Sequence, residues 1–242
     1  MTKEQQPKYG RIVLKVSGEA LGAPGQVGLD GGAIDRLAES IVAAAGTGVE
    51  IAVVVGGGNL MRGNTIAQTT PVHEATGHYM GMLATVINGL ALQDTIEAKG
   101  VPTRVMSAIS IQQVCEPYIR RRCIRHLEKK RVVVLVSGTG NPFVTTDTCA
   151  ALRALEIGAD ALLKATKVDG VYTEDPRKNP AAKRYDKLTY DQALDRRLGV
   201  MDISAFDLCR QKKIPIVVFN VFAEGHLLRA VRGEAVGTLI SA

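Results

Sequence analysis

The chain has 242 residues, 46% hydrophobic and 22% charged, proportions that exclude disorder and a coiled coil and leave enough chain to bury a large core without disulfide or metal staples. Its 30 Lys and Arg against 24 Asp and Glu give a net charge of +6, which suits an acidic partner. A nucleotide needs only a few local cations, whereas nucleic acid needs a stripe of them. No apolar run approaches the roughly 20 residues that span a bilayer, and the polar stretch Met1 to Tyr9 lacks a secretory signal, so a cytoplasmic protein is expected.

Short β-branched runs alternate with longer segments of helical period, the pattern of βαβ units. The expected fold is α/β, an open and mainly parallel sheet with helices on both faces, forming a single domain over 1–242 with a polar excursion at about 173–198. The first strand, Arg11 to Val16, carries Lys15 near its end and runs into Ser17-Gly18. A buried ammonium there needs an anionic partner, which a phosphate would supply. A helix from Ala33 to Ala45 follows, with Asp30 as cap. The second strand, Glu50 to Val55, ends in Gly56-Gly57-Gly58-Asn59, with Arg62 in the same loop as a planar fork for phosphate oxygens.

Next come a helix from Met80 to Ala98, a strand from Thr103 to Met106 and a helix from Tyr118 to Lys129. Within twelve residues the last contributes or adjoins Arg120, Arg121, Arg122, Arg125, Lys129, Lys130 and Arg131, opposite Ile119, Cys123, Ile124 and Leu127. This reads as a solvated basic helix face. The strand Val132 to Val136 leads into Ser137-Gly138-Thr139-Gly140-Asn141, and a helix from Thr148 to Ile157 is expected to have Asp147 as its N-cap. The strand Ala161 to Lys164 ends in Ala165-Thr166-Lys167. A helix from Ser204 to Lys212 and a strand from Ile216 to Asn220 complete the pattern.

In such a sheet the ligand lies beyond the carboxyl ends of the strands. Two glycine-rich loops and two Ser/Thr loops converge there, offering backbone N–H groups and hydroxyls where helices begin, as a phosphate site does. The four histidines are scattered, no H-E-x-x-H or Ser-His-Asp pattern exists, and Cys115, Cys123, Cys149 and Cys209 have no metal or disulfide spacing. No metal ligands are assigned. With neither Gly-Lys nor G-x-G-x-x-G after a strand, a Walker A kinase and a dinucleotide dehydrogenase are both disfavoured. From residues alone the chain is a nucleotide- or phosphate-handling α/β protein with an unconventional phosphate site.

Five stretches, Leu14 to Leu21, Gly56 to Gly63, Met80 to Thr85, Gly138 to Phe143 with Thr145 to Asp147, and Leu163 to Val171, resemble the bacterial uridylate (UMP) kinases of the amino-acid kinase family. The match runs from about residue 9 to the C-terminus. The resemblance implies direct transfer of the γ-phosphoryl group of MgATP to the phosphate of UMP, giving UDP. It places Lys15, Ser17, Gly18, Gly58 and Arg62 on the ATP phosphates and Thr166, Tyr172 and Asp175 on the adenine nucleotide. It places Gly57, His78, Thr139, Gly140, Asn141, Pro142, Phe143, Val144, Thr145 and Thr146 on UMP. Asp147 would orient Lys15, and Lys164 would add positive charge, so Lys15, Arg62, Asp147 and Lys164 form the implied catalytic set. The resemblance also implies Mg2+ carried as MgATP, a homohexamer, activation by GTP and inhibition by UTP.

Two positions depart from that pattern. His78 stands where the family has an aspartate, and Gln93 and Glu97 stand where some members carry basic residues. Two other functions remain to be weighed. One is an acyl-phosphate-forming relative acting on a carboxylate or carbamate, and the other a nucleotide-responsive nucleic-acid-binding protein using the basic helix.

Overall fold

The structure, a computed structural model, describes residues 6–61, 68–176, 178–196 and 198–242. Among these, nine strands form one sheet in the order β4-β3-β5-β2-β1-β6-β10-β11-β9, beside a two-stranded hairpin of β7 and β8. The strands are β1 (Arg11–Val16), β2 (Glu50–Val55), β3 (Thr103–Ser107), β4 (Glu116–Pro117), β5 (Val132–Val136), β6 (Ala161–Thr166), β7 (Val171–Tyr172), β8 (Arg184–Tyr185), β9 (Lys187–Thr189), β10 (Ile216–Asn220) and β11 (Thr238–Ser241). All pairings in the large sheet are parallel except β10 with β11.

Strand alternation divides the core into two layers. Ile12, Leu14 and Val16 of β1 face the layer that holds α1 (Gly31–Ala45), α2 (Glu74–Ala98) and α7 (His226–Val231). Val13 of β1, with Val133 and Leu135 of β5, faces α3 (Arg120–Glu128), α4 (Thr146–Ile157), α5 (Tyr190–Asp195) and α6 (Ile203–Gln211). Both faces of the central strands are therefore dry, which is why they read as continuous apolar runs. The chain leaves β1 for β2 on one side and pairs it with β6 on the other, so the topological switch point falls at the carboxyl end of β1.

Helix starts differ from expectation in two informative places. Helix α2 begins at Glu74, six positions before the expected Met80, and so takes in Gly77 and His78. A side chain on Gly57 would come within 2.7 Å of the Gly81 carbonyl oxygen. The β2 loop therefore lies directly against the helix backbone, and the glycine that this approach requires is Gly57. The cap of α4 is Thr145, whose side chain accepts the Thr148 N–H. Asp147, expected as the cap, lies inside the first turn with its carboxylate free for other work.

The excursion expected at about 173–198 is partly built into the sheet, since β9 within it pairs with β11. The basic helix face is also more committed than expected. Arg120 donates to the Glu156 carbonyl, Arg131 to His126, and Lys130 to Gly48 and Glu50. Ile119 precedes α3 as an exposed cap residue rather than joining its apolar face. Cys123, Cys149 and Cys209 are buried free thiols, and burial pushes Cys149 up to about 11, which leaves it unreactive. No helix among the described residues is long and apolar enough to cross a membrane.

Candidate active site

The parallel register places Lys15 directly opposite Lys164 on adjacent strands. Two ammonium groups side by side at the bottom of a crevice require a shared counter-charge, and Asp147 in the first turn of α4 provides it. Its Oδ1 lies 2.8 Å from Lys15 Nζ and its Oδ2 lies 2.7 Å from Lys164 Nζ. The anionic partner that the sequence demanded for Lys15 is thus a carboxylate of the chain itself. Two cations against one anion leave a net positive charge beside the N-terminus of α4, where unpaired N–H groups also favour an anion. Burial holds the Lys164 pKa below its ordinary value of 10.5; Asp147 opposes the shift and Lys15 reinforces it.

A second carboxylate, Asp202, caps α6 by accepting the Ala205 N–H and receives the hydroxyls of Thr145 and Thr148. Burial alone would raise its pKa, but the hydrogen bonds from Thr145, Ala205 and Thr148 and the nearby Lys164 charge together lower it. Asp202 therefore ties α6 to the start of α4, and no sequence motif had marked it. The hydroxyl of Thr145 is engaged by this carboxylate.

The loop after β5 is strained. Ser137 and Phe143 have φ of 62° and 65°, and Gly138 and Gly140 have 56° and 83°. Non-glycine residues in this region cost about 1–3 kcal/mol each, so the fold must hold them. Ser137 does so through its N–H, which donates to Thr85 Oγ1 at 2.7 Å, and through its hydroxyl, 2.9 Å from that of Ser107. Phe143 is exposed and packs its ring 4.8 Å from that of His78.

On the other side of the crevice the β1 and β2 loops meet back to back. A side chain on Gly18 would come within 2.6 Å of the Gly58 nitrogen and 2.8 Å of the Gly56 carbonyl oxygen, so only glycine fits. The glycine loop is pinned by Asn88 of α2, which donates to Gly56 O at 2.7 Å and exchanges reciprocal amide bonds with Asn59 at 2.7 and 3.1 Å. Both asparagines are buried. Asn88→Leu takes the donor away from the Gly56 carbonyl and from Asn59 Oδ1, while the Asn59 amide keeps its bond to Gly28 O, and should lower stability by about 3 kcal/mol, read as a fall in the urea midpoint. A midpoint equal to wild type would show that the network carries no strength.

Four cavities line the crevice. The largest, about 610 Å3, is bounded by Lys164, Thr166, Tyr172 and Asp175. One of about 170 Å3 contains Lys15, Ser17, Lys164 and Thr166, and one of about 220 Å3 contains Gly58. The fourth, about 150 Å3, is bounded by Gly57, His78, Thr139, Asn141, Val144 and Thr146. Most of the expected site residues are thus brought together. Gly140, Pro142, Phe143 and Thr145 belong to the same loop but do not line the fourth cavity, and Arg62 lies outside the described residues.

Residues 10–220 match the sequence pattern of the amino acid kinase family. The chain belongs to that family. It is 57% identical over 235 residues to the uridylate kinase of Methylococcus capsulatus, covering 97% of this chain and 98% of the relative. It is 55% identical over 232 residues to the uridylate kinase of Xanthomonas oryzae pv. oryzae, covering 96% of each. The crystal structure of UMP kinase from Bacillus anthracis superposes with a TM-score of 0.93 at 37% identity, covering 96% of both chains. The α/β, mainly parallel fold expected from the sequence is the fold of these structures.

Proposed function

We propose that the chain transfers the γ-phosphoryl group of MgATP to the phosphate of UMP, giving ADP and UDP, as the names of its uridylate kinase relatives suggest. It is a nucleoside monophosphate kinase serving pyrimidine nucleotide synthesis in the cytoplasm. The observation that carries the site assignment is the Lys15–Asp147–Lys164 triad between a cavity large enough for a nucleotide and the smaller cavity at the strained loop. Phosphoryl transfer asks little covalent chemistry of a protein; it asks for alignment and for positive charge where oxygens crowd. Lys15 and Lys164 supply that charge, and Asp147 fixes both ammonium groups before substrate arrives.

ATP occupies the cavity of Thr166, Tyr172 and Asp175, with its phosphates directed to Lys15, Ser17, Gly18, Gly58 and Arg62. UMP occupies the cavity of Gly57 and His78 and is held by the loop from Thr139 to Thr146. Magnesium enters as part of the substrate, MgATP. Asp147, the carboxylate of the triad, is already committed to two ammonium groups, and no described cluster of three His, Cys, Asp or Glu suits a resident metal. Incubation with MgATP and UMP, CMP, dTMP, AMP, acetylglutamate or carbamate tests the assignment by mass spectrometry. UDP should dominate, and an acyl phosphate would overturn it.

A homohexamer, activation by GTP and inhibition by UTP complete the proposal. Tyr79, Leu83 and Ile87, exposed at four-residue intervals along α2, support a subunit contact there. Glu97 is already bonded to Arg104 and to the Thr103 N–H, which supports a GTP response weaker than in members with a basic residue at that position.

His78 is the acceptor-site residue at which this chain departs from the family pattern it resembles. Its Nε2 is buried without a hydrogen-bond partner among the described residues, and the Glu74 carboxylate lies 3.7 Å away. A neutral imidazole accepts a bond from a ribose hydroxyl, whereas an imidazolium only donates. His78→Ala, which removes that acceptor, should therefore raise KM for UMP about tenfold while leaving KM for ATP within about twofold. His78→Asp restores an acceptor and should bring KM for UMP back toward wild type. An unchanged KM for UMP in His78→Ala would remove His78 from the ribose.

A further inference from the structure

The assigned roles leave two charged residues of the crevice unused, Lys167 and Glu19. Lys167 follows β6 and borders three cavities at once: the large one with Tyr172 and Asp175, the one with Lys15 and Ser17, and the one with Gly58. A polyphosphate running from the adenosine cavity toward Lys15 and Gly58 passes this junction. Lys167 Nζ lies 2.7 Å from Glu19 Oε2, and the two side chains are 42% and 33% exposed. An ion pair this open to water is weak. Glu19 also borders the cavity of Lys15 and Lys164, where its carboxylate opposes an incoming anion. A phosphate group, with more charge and three acceptor oxygens, competes well against one carboxylate for an ammonium.

We propose that Lys167 is a further phosphate-binding residue for the nucleoside triphosphate, and that Glu19 is its resident counter-ion, exchanged for the phosphate chain when the nucleotide binds. This rests on the assignment of ATP to the Tyr172 cavity. The lysine is thereby held in place before binding, and every nucleotide must first displace Glu19. The affinity for phosphate is lower than Lys167 alone would give, and a nucleoside without phosphates is indifferent to the exchange.

Calorimetric titration of the full chain with ATP, ADP and adenosine in Mg2+ buffer tests this. Lys167→Met should weaken ATP and ADP about tenfold while leaving adenosine within about twofold. Lys167→Arg, which keeps the charge, should stay within about threefold of wild type for ATP and should stand in for the methionine variant if that one does not fold. Glu19→Gln should tighten ATP about threefold and leave adenosine unchanged. Equal losses for ATP and adenosine in Lys167→Met would reduce Lys167 to a support of the following loop, and unchanged ATP affinity would remove it from the phosphates. Weaker ATP binding in Glu19→Gln would mean that Glu19 orients the lysine rather than competing for it. A wild type that binds adenosine as tightly as ATP would overturn the placement of the nucleotide itself, a separate failure.

Discussion

Lys15→Met should lower kcat by about 10²- to 10³-fold, the usual consequence of removing one fixed charge from a site where oxygens crowd in the transition state. Folding should survive because of how the triad is wired. With Lys15 gone, Asp147 still pairs with Lys164 at 2.7 Å, so one cation balances one anion and no buried charge is orphaned. The methionine side chain fills much of the lysine stem's volume beside Val13 on the same face of β1. A kcat within threefold of wild type would mean that Lys15 serves only as a partner for Asp147. Collapse of the fold would mean instead that the ammonium is chiefly structural.

Much of this architecture is written in local sequence. Continuous apolar runs such as Val132 to Val136 identify strands buried on both faces, and the glycines and hydroxyls at their carboxyl ends locate the crevice. What escapes is whatever depends on contacts distant in sequence. The strands β9 and β11 at one end of the sheet are three and four residues long, and α7 is a six-residue helix, so none carries a readable period. The start of α2 is hidden by Gly77, a weak helix former in its first turn. Asn88 reads as one polar residue in an apolar helix until Asn59 and the Gly56 carbonyl are seen beside it. Lys15 was legible as a buried charge in want of an anion. The family resemblance already implies that Asp147 orients Lys15, but that the same carboxylate serves Lys164 follows only from the β1–β6 register and the entry of α4.

The same wiring makes Asp147 a harsher loss than Lys15. Asp147→Asn leaves two adjacent ammonium groups without their shared carboxylate, and breaking a buried pair from one side costs about 3–5 kcal/mol. Burial already holds the Lys164 pKa below 10.5, with Asp147 the largest influence raising it and Lys15 pushing it down, so the substitution should lower it further. Two pH dependences of opposite sign then follow. Catalysis needs Lys164 charged, so kcat, already reduced by about 10²-fold, should decline at a lower pH than in wild type. Stability should move the other way: the folded Lys164 gives up its proton at a pH where the unfolded lysine still holds one, so the unfolded state binds more protons and the unfolding free energy rises with pH through that window. Urea melts and kcat measured over one pH series running up to the ordinary lysine pKa of 10.5 would display the two trends together, in the interval below that value where the folded Lys164 has already lost its proton. If both curves merely ran parallel to wild type, Asp147 would be a helix-end residue with no hold on the protonation of Lys164.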